Sequence, residues 1–400
     1  MAPARVVSRI LSRSESLFAT DLDASGDALH GAIGGRRMVV VGAGGSIGRA
    51  FVRRVAAFQP SALALVDISE NTLVELIREL RASPEPLPKD LATYSVALGS
   101  LEFQRLLDAL PPFDYVINFA AMKHVRSERD PYSLMRMIDT NVLAVDTLTA
   151  SLRADATRKV FSVSTDKAVR PASLMGATKR WMERVLFTHA DRMPCSTARF
   201  ANVAFSDGSL LAGFLQRLAK QQPLAAPTDV RRYFISEEEA GQLCLLACFA
   251  GGNREVYFPR LEPTRHLLSL AEIAGVLLEE LGMRAEVFAS EDEARRSGLL
   301  TGEPPTAWPC VFSATDTTGE KLLEEFFTEE DQPDFSRYRA IGVITEGALP
   351  DTSGLAAARA AVERVRGERQ WRKADLIEAI RLAVPELQHT ELHRSLDAKM

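Results

Sequence analysis

A glycine-rich turn between an apolar strand and a helix constrains the fold of this 400-residue chain more than any other feature. The segment RRMVVVGAGGSIGRAFVRRVAAF, residues 36–58, gives a continuous apolar run, then glycines, then apolar residues at helical spacing. Further short apolar runs follow, ALALVDIS, ATYSVAL, DYVINFAA, KVFSVST and CSTARF, with helical patterns between them. Strands that are apolar on both faces and alternate with helices are typical of a parallel sheet covered on both sides. The sequence therefore predicts an α/β fold with a doubly wound parallel sheet.

The glycines of this turn are spaced for binding a dinucleotide. The turn places Gly42, Gly45 and Gly48 in a G-x-x-G-x-x-G pattern directly between the strand and the helix. Glycine permits the tight turn and lets backbone N–H groups approach a pyrophosphate at the helix N-terminus. Asp67 ends the next apolar run, 19 residues after Gly48, where its carboxylate would accept hydrogen bonds from ribose hydroxyls. The next residues, ISEN, add Glu70 and no arginine, and two carboxylates would repel a 2′-phosphate, so the sequence favours NAD over NADP.

The alternation of strands and helices loosens after about residue 200, which predicts a division of the chain. Residues 1–35 are polar and mixed and are expected to form an N-terminal arm. The predicted NAD-binding Rossmann domain spans residues 36–200. Residues 201–350 are expected to form mainly a smaller, mixed α/β lobe for the substrate, with REVYFP among its strands. A helical pattern with alternating charges predicts a helical tail over residues 351–400.

Composition and charge exclude several kinds of partner. The net charge of −5 disfavours nucleic acid and anionic membranes, since both reward a basic surface. The apolar runs are shorter than the roughly 18 residues that span a membrane, and the N-terminal residues lack a signal-peptide pattern, so a cytoplasmic protein is expected.

The four cysteines lack C-x-x-C spacing and are expected to be small apolar core residues. The HTELH segment near the C-terminus lacks a third ligand and predicts a solvated helix, so no metal site is expected.

The stretch STDKAVRPASLMGATK, residues 164–179, determines what catalysis is available. It ends in Lys179 on a predicted helix, and Met175 stands four residues earlier, where a large class of NAD-dependent enzymes has a tyrosine. A tyrosine beside a lysine can take a hydroxyl proton because the ammonium lowers the phenol pKa. A thioether has no proton to exchange, so Met175 can only shape the pocket. An acid and a base for catalysis must therefore lie elsewhere.

Several motifs together resemble the extended short-chain dehydrogenase/reductase family. They are the glycine turn, NFAAMKHV, TNVLAV and STDKAVRPASLMGATKRWME, and within that family they look like the nucleotide-sugar 4,6-dehydratases of bacterial polysaccharide synthesis. Some members of that group replace the tyrosine by methionine and keep the lysine. The segments RFANVAFSDGSLL, RRYFISEEEAGQL, DTTGEK and LDAKM are similar to the dehydratases of the legionaminic-acid pathway. The resemblance implies removal of water from UDP- or GDP-linked N-acetylglucosamine to give a 4-keto-6-deoxy sugar. It also implies a homodimer that forms through helices around 135–150 and 175–190.

The resemblance assigns the proton chemistry to Thr165, Asp166 and Lys167 at the end of the fifth strand. Asp166 is the nearest candidate to receive the sugar C4 hydroxyl proton, with Thr165 as a relay, and would then protonate the departing C6 hydroxyl. Lys167 would take the C5 proton, which the C4 ketone makes acidic. Its amine must be neutral for that step, and burial, Lys179 and the positive nicotinamide ring are expected to lower its pKa. Hydride then returns to C6, so the whole reaction is redox-neutral.

The other candidate residues are expected around the same edge of the sheet. The residues expected to contact the cofactor are Gly42, Gly45, Ser46, Ile47, Gly48, Asp67, Ala120, Ala121 and Lys179. Lys179 is expected to bind the nicotinamide ribose and is also predicted to be a catalytic residue. The residues expected to contact the sugar nucleotide are Lys123, His124, Met175, Arg199, Asn202, Ser209 and Arg232. Arginine forks suit the oxygens of a diphosphate. The choice between UDP and GDP stays open.

Two other functions are compatible with the same fold. A C4 epimerase or a ketoreductase would normally need the tyrosine that Met175 replaces, and would not need the Asp166–Lys167 pair. A non-catalytic NAD-binding sensor would have no use for Asp166, Lys167 and Lys179 together. The sequence therefore favours a dehydratase, and loss of one water from a sugar nucleotide would distinguish it from both alternatives.

Overall fold

The computed structural model describes residues 4–301, 306–314, 321, 323–347 and 351–390. Its helices are α1 (Ala4–Leu11), α2 (Ala19–Ala24), α3 (Gly26–Ile33), α4 (Ser46–Ala56), α5 (Glu70–Ala82), α6 (Leu101–Ala109), α7 (Pro131–Ile138), α8 (Ala144–Ser151), α9 (Leu174–Thr188), α10 (Leu210–Ala219), α11 (Glu237–Phe249), α12 (Pro263–His266), α13 (Leu270–Glu280), α14 (Glu291–Arg296), α15 (Thr352–Gly367) and α16 (Lys373–Ala383). Its strands are β1 (Arg37–Val41), β2 (Ala62–Asp67), β3 (Asp90–Ser95), β4 (Tyr115–Asn118), β5 (Lys159–Val163), β6 (Cys195–Ala198), β7 (Asn202–Val203), β8 (Leu224–Pro227), β9 (Arg231–Ile235), β10 (Glu255–Pro259), β11 (Leu267–Ser269), β12 (Arg284–Val287), β13 (Ala307–Ser313) and β14 (Ile341–Thr345). Of the motifs quoted above, LDAKM and all of DTTGEK except Lys321 lie outside the described residues.

The main sheet has the strand order β14-β10-β6-β5-β4-β1-β2-β3. All neighbouring strands from β3 to β10 pair in parallel, whereas β14 pairs antiparallel with β10 at the edge. Strand β1 is apolar throughout its buried part, and Val40 pairs with Leu65 of β2 on one side and Ile117 of β4 on the other. The order from β3 to β6 is that of a Rossmann sheet, with its switch point between β1 and β4. The predicted doubly wound α/β fold is confirmed.

The strand predicted from REVYFP is β10, and it joins the main sheet and not the substrate lobe. It pairs with β6, and β14, from the same 201–350 segment, extends the sheet further. Helix α11 of that segment packs against α4 beside the main sheet. The expected boundary at residue 200 is therefore not a clean division in space. The chain leaves the main sheet after β6 and returns to it twice, at β10 and at β14. The sequence pattern does not show this, because a short apolar strand is compatible with either sheet.

The smaller lobe contains, within the described residues, two three-stranded sheets with the orders β11-β9-β7 and β12-β13-β8. Its apolar cluster includes Phe214 of α10, Leu277 of α13 and Trp308 of β13. Helix α1 of the N-terminal arm packs on α13, where Arg9 forms an ion pair with Glu279 at 2.7 Å. The first part of the arm therefore belongs to the smaller lobe.

The rest of the arm is built into the main core. Phe18, Leu29 and Ile33 are fully buried there. The buried Asp21 carboxylate accepts the backbone N–H groups of Arg339 and Ala340, at 2.7 and 2.9 Å, directly before β14. The arm thereby connects the lobe to the edge of the main sheet.

The C-terminal helices α15 and α16 pack on each other and against α7 and α9. A second apolar cluster joins the two pairs, with Trp181 of α9 and Met137 of α7 facing Val362 of α15 and Ile380 of α16. This is the surface for which the sequence predicted a dimer contact through residues 135–150 and 175–190. The chain's own helices cover the part of this surface that α7 and α9 form, which corrects the predicted contact there. A homodimer through another face stays a prediction.

Other expectations concern single residues and surfaces. All four cysteines are free and buried, which confirms their predicted place in the core. His389 is also buried, and its Nδ1 lies 3.3 Å from the Ala172 carbonyl in a non-helical segment, so the solvated helix predicted for HTELH is wrong there. His393 lies outside the described residues. Within the described ranges, none of the helices is long and apolar enough to cross a membrane.

Candidate active site

The glycine turn after β1 packs directly on the end of β4. Gly42 has a φ of +75°, and a Cβ there would lie 2.5 Å from the Ala120 nitrogen. Only glycine fits this turn, and the close approach places Ala120 and Ala121 next to the N-terminus of α4. Helix α4 begins at Ser46, directly after Gly45, so its first N–H groups lie at the turn. These features fit the pyrophosphate-binding turn of a dinucleotide site.

Asp67 ends β2 beside this turn. Its Oδ2 accepts the Gly44 N–H at 2.9 Å, and its Oδ1 accepts the Ser69 N–H at 3.0 Å. The carboxylate therefore fixes the glycine turn and the start of α5 together. A carboxylate oxygen accepts more than one hydrogen bond, so this position remains compatible with contacts to ribose hydroxyls.

The segment after β5 places Thr165, Asp166 and Lys167 in a single 3₁₀ turn. The Thr165 hydroxyl donates to Asp166 Oδ1 at 2.8 Å, and Lys167 Nζ lies 3.2 Å from the same oxygen. Asp166 is only 1% exposed, whereas Lys167 is half-buried. Among the described residues, Asp166 Oδ2 meets no hydrogen-bond partner. A buried acceptor of this kind is costly to leave unsatisfied, which makes it a candidate contact for a ligand.

Helix α9 lies against this turn and contributes Lys179. The Ser173 hydroxyl caps the helix by accepting the Gly176 N–H, and a Cβ on Gly176 would lie 2.2 Å from the Lys167 carbonyl oxygen. The glycine therefore brings α9 close to the turn of Asp166 and Lys167. Lys179 is buried, its Nζ meets no partner in the described part of the chain, and burial lowers its pKa to about 8 despite the charge of Glu183. An amine held in this way is available to a ligand.

Glu324 also belongs to this cluster, and sequence reasoning missed it. Its Oε1 lies 3.8 Å from Lys167 Nζ, and the side chain is buried. Burial alone would lower the pKa of Lys167, but the charges of Asp166 and Glu324 raise it above its ordinary value. The lowered pKa expected for Lys167 is therefore wrong for this cluster, because two carboxylates outweigh desolvation. Glu324 lies three residues after Lys321, the last residue of the DTTGEK segment, and outside every segment on which the sequence analysis depends.

Three of the four polar residues expected to bind substrate beyond β6, namely Arg199, Asn202 and Arg232, differ in their surroundings. Arg232 of β9 is buried, and its charge acts on both Lys167 and Glu324, so the fold brings it to the cluster. Asn202 of β7 donates a long hydrogen bond of 3.4 Å to the Tyr233 carbonyl. Arg199 is held by Glu183 of α9.

Arg199 forms a structural ion pair. Its Nε and Nη2 donate to the two carboxylate oxygens of Glu183, at 2.8 and 2.7 Å, and its Nη1 donates to the Phe326 carbonyl at 3.0 Å. Burial would raise the pKa of Glu183, but the Arg199 charge lowers it to about 2. With its donors committed in this way, Arg199 does not fit the diphosphate contact predicted for it. The ion pair instead fixes Phe326, two residues after Glu324, to α9.

The mouth of the site is formed by the segment after β4 and the loop before α10. Lys123 and His124 are exposed there, and the His124 ring lies against Gly208. Ser209 caps α10 by accepting the Ala212 N–H at 3.2 Å. The Ser46 hydroxyl at the start of α4 donates to Asp207 Oδ2 at 3.0 Å, which closes this loop over the glycine turn.

Met175 occupies the first turn of α9 in an apolar setting. It is 4% exposed and belongs to the cluster that α15 and α16 cover. Asn141, which sequence reasoning also missed, fixes the surroundings. Its amide bridges both backbone groups of Met122 and the Thr178 hydroxyl, at 2.8 to 3.0 Å. Since Asn141 sits in the π-helical turn Asp139–Leu143, this turn aligns the segment after β4 with the lysine-bearing helix.

Comparisons with known proteins identify the family of this chain. Residues 38–346 match a family described as polysaccharide biosynthesis protein. The chain belongs to this family. An uncharacterised membrane protein of Methanocaldococcus jannaschii is 29% identical over 304 residues, which cover 74% of this chain and 81% of that protein. The probable polysaccharide biosynthesis protein EpsC of Bacillus subtilis is 28% identical, over 66% of this chain and 44% of its own length.

Two further similarities concern a dehydratase and a solved structure. A UDP-N-acetylglucosamine 4,6-dehydratase (inverting) of Campylobacter jejuni is 30% identical over 206 residues, 48% of this chain and 60% of the enzyme. The chain thus spans less than two thirds of the length of both the Bacillus and the Campylobacter relatives. The X-ray structure of Pen from Bacillus thuringiensis has a TM-score of 0.64 at 21% identity, over 79% of this chain and 89% of that one. That similarity supports the fold.

Proposed function

We propose that this chain is an NAD-dependent nucleotide-sugar 4,6-dehydratase acting on UDP- or GDP-linked N-acetylglucosamine. Its product would serve a bacterial surface glycan or a nonulosonic acid such as legionaminic acid. The observation that supports this most is the Asp166–Lys167 pair at the end of β5, held against helix α9. Membership of a polysaccharide biosynthesis family and similarity to a UDP-N-acetylglucosamine 4,6-dehydratase favour the same chemistry.

The chain would hold NAD at the glycine turn. The first N–H groups of α4 suit the pyrophosphate, the Asp67 carboxylate suits ribose hydroxyls, and the buried Lys179 amine suits the ribose next to the nicotinamide. Asp67 and Glu70 would repel the 2′-phosphate of NADP. NAD bound here would accept hydride from C4 of the sugar and return it to C6.

Asp166 would act first as a base and then as an acid. Its Oδ1 accepts from Thr165 and lies beside the Lys167 ammonium, which leaves Oδ2 to receive the C4 hydroxyl proton. The resulting carboxylic acid would give this proton to the departing C6 hydroxyl, which leaves as water. Placed proton transfers of this kind typically contribute about 10²–10⁴-fold in rate.

Lys167 would remove the C5 proton once C4 is a ketone. The same amine would return a proton to C5 when C6 has been reduced, so that no net proton is consumed. Met175 cannot take part, because its thioether carries no exchangeable proton. The proton chemistry would therefore lie on the β5 side of the cleft, and α9 would contribute Lys179 and shape.

The proposal is tested by incubating the purified chain with NAD and, separately, with UDP- and GDP-linked N-acetylglucosamine. Mass spectrometry is expected to show loss of one water from one of them. Asp166→Asn and Lys167→Ala should each slow this by about 10²–10⁴-fold and leave NAD binding nearly intact. Asp108→Asn, a matched change at an exposed position of α6, should behave as wild type.

Two results would contradict the proposal. Full activity in either active-site variant would remove the assigned mechanism. A change of configuration at C4 without loss of water would indicate an epimerase instead.

A further inference from the structure

Glu324 is buried, ionisable and close to the proposed base, yet the mechanism above gives it no task. Its Oε1 lies 3.8 Å from Lys167 Nζ, which also lies 3.2 Å from Asp166 Oδ1. One ammonium thus serves two buried carboxylates. In the described chain, one oxygen of each carboxylate, Asp166 Oδ2 and Glu324 Oε2, is buried and meets no hydrogen-bond partner.

The position of Glu324 is fixed by contacts on both sides of it. Lys321 Nζ donates to the Val169 carbonyl at 2.8 Å, close to the turn that bears Lys167. Phe326 stacks on Phe258 of β10 with 6.0 Å between ring centroids and accepts the hydrogen bond from Arg199. The segment is therefore tied to the catalytic turn, to the main sheet and, through Arg199, to α9. Such anchoring is what a functional side chain needs to hold its distance from a reacting group.

Lys167 presents a difficulty that this carboxylate resolves. The amine must be neutral to remove a proton from C5, but the two carboxylates raise the pKa of Lys167 and keep it charged in the resting cluster. A charged amine can become a base only if its proton has a place to go. Asp166 is already assigned to the C4 hydroxyl proton, so a second acceptor is required.

We propose that Glu324 is the proton partner of Lys167, a positioning residue that takes one proton from the Lys167 ammonium and so converts it into the base for C5. This inference rests on the proposed dehydratase function. In the step itself, an N–H bond of Lys167 breaks and an O–H bond forms on Glu324. The C5–H bond then breaks, with its proton going to the Lys167 amine.

The protons balance over the cycle. Asp166 takes the C4 hydroxyl proton and loses it to the departing water. Lys167 takes the C5 proton and returns it to C5, after which Glu324 returns its own proton to Lys167. Two protons are thereby stored at once on separate groups, which a single Asp–Lys pair starting from the charged state could not do.

The electrostatics of the cluster favour Glu324 for this task. Burial and the Asp166 charge raise the pKa of Glu324, and the charges of Lys167, Arg232 and Lys321 oppose this without cancelling it. Within the described residues, these four groups are the charged side chains with the largest effects on the pKa of Glu324. A buried charged pair becomes less favourable relative to its neutral form as water is excluded, so a bound sugar nucleotide would promote the transfer.

The first test needs no substrate. The rate at which acetic anhydride acetylates Lys167 is measured against pH by mass spectrometry, for wild type and Glu324→Gln. Removing the carboxylate charge should lower the apparent pKa of Lys167, so its acetylation should extend to lower pH. The control Glu325→Gln makes the same change one residue away and should keep the wild-type profile. An identical profile in wild type and Glu324→Gln would overturn the proposal.

The second test uses turnover. With NAD and the accepted sugar nucleotide, Glu324→Gln should lose about 10²–10⁴-fold in water elimination and in exchange of the C5 proton with deuterated solvent. Formation of reduced nicotinamide should persist, since C4 oxidation does not need Lys167. Glu324→Asp should recover part of the rate, and melting curves check that the variants fold. A wild-type elimination rate in Glu324→Gln, or equal loss of C4 oxidation, would overturn the inference.

Failure of the dehydratase proposal would look different. In that case wild type itself would remove no water from any sugar nucleotide, whereas the acetylation profiles would still report on the Lys167–Glu324 pair.

Discussion

Lys179 is predicted to reduce the stability of the unliganded protein. Its amine is buried without a partner among the described residues, and its pKa falls from 10.5 to about 8 because burial disfavours the charged form. The change to test is Lys179→Met, which keeps the length of the side chain and removes the charge. A shift of this size corresponds to about 3 kcal/mol of unfolding free energy at pH 7. The variant should therefore be more stable than wild type.

The stability gain of Lys179→Met should decrease as the pH rises. Below about pH 8 Lys179 is charged in both states, so folding must bury the full charge. Between about pH 8 and 10.5 only the unfolded state stays protonated, and the penalty declines; above 10.5 it is absent. The advantage of Lys179→Met should fall from about 3 kcal/mol at pH 7 to about 1 kcal/mol at pH 10. For a chain of this length the pH 7 gain corresponds to about 3–4 °C in Tm.

Thermal and urea unfolding of both proteins at the two pH values measures this difference. Any gain in apolar packing from the methionine is independent of pH, so the change between pH 7 and pH 10 isolates the charge. Lys220→Met, at an exposed position after α10, should alter stability by less than about 0.5 kcal/mol at either pH. Saturating NAD should stabilise wild type more than Lys179→Met. A gain that is absent at pH 7, or equal at both pH values, would refute the argument.

Three further predictions concern other parts of the chain. Asp67→Ala should weaken NAD binding and narrow the preference over NADP in titrations, because it removes the ribose acceptor and the repulsion of the 2′-phosphate; an unchanged ratio would mean that Asp67 only fixes the turn. Met175→Leu should cost less than about 1.5 kcal/mol and keep most of the dehydration rate, since the site needs only apolar shape there; near-total loss would assign the sulfur a role. Deleting residues 351–400 exposes the apolar face of α7 and α9 and should cause self-association beyond the oligomeric state of the full chain in sedimentation experiments, whereas an unchanged oligomeric state would contradict this.

The main sheet could be predicted because its strands are apolar on both faces and regularly spaced. The pattern could not say which sheet a short apolar strand joins. The sequence of β10 is typical of a buried strand in the main sheet or in the smaller lobe. Its pairing with β6 and β14 shows that it belongs to the main sheet. Likewise, the helical tail was visible as a pattern, but its apolar stripe did not reveal that it covers α7 and α9.

The candidate site was predictable where its residues lie close in sequence. Thr165, Asp166 and Lys167 share one turn, and Lys179 follows on the next helix. Glu324 comes from a distant segment, so spacing could not place it beside Lys167. The same omission explains the error over Lys167, because the expected direction of its pKa considered desolvation and nearby cations but not a second carboxylate.

Glu183 connects the two halves of this site. The charge of Arg199 keeps the pKa of Glu183 near 2, so Glu183 is a carboxylate at any working pH. The Glu183 charge partly offsets the burial of Lys179 on the same helix. Through Arg199 the same carboxylate also fixes Phe326, and with it the segment that holds Glu324 beside Lys167. The buried Glu183–Arg199 ion pair therefore influences both Lys179, which is proposed to bind the cofactor ribose, and Glu324, which is proposed to accept a proton. Breaking it would leave a buried charge without its partner, which typically costs about 3–5 kcal/mol, and would disturb both halves together. The Arg199 side chain is for this reason better placed to organise the site than to bind a diphosphate.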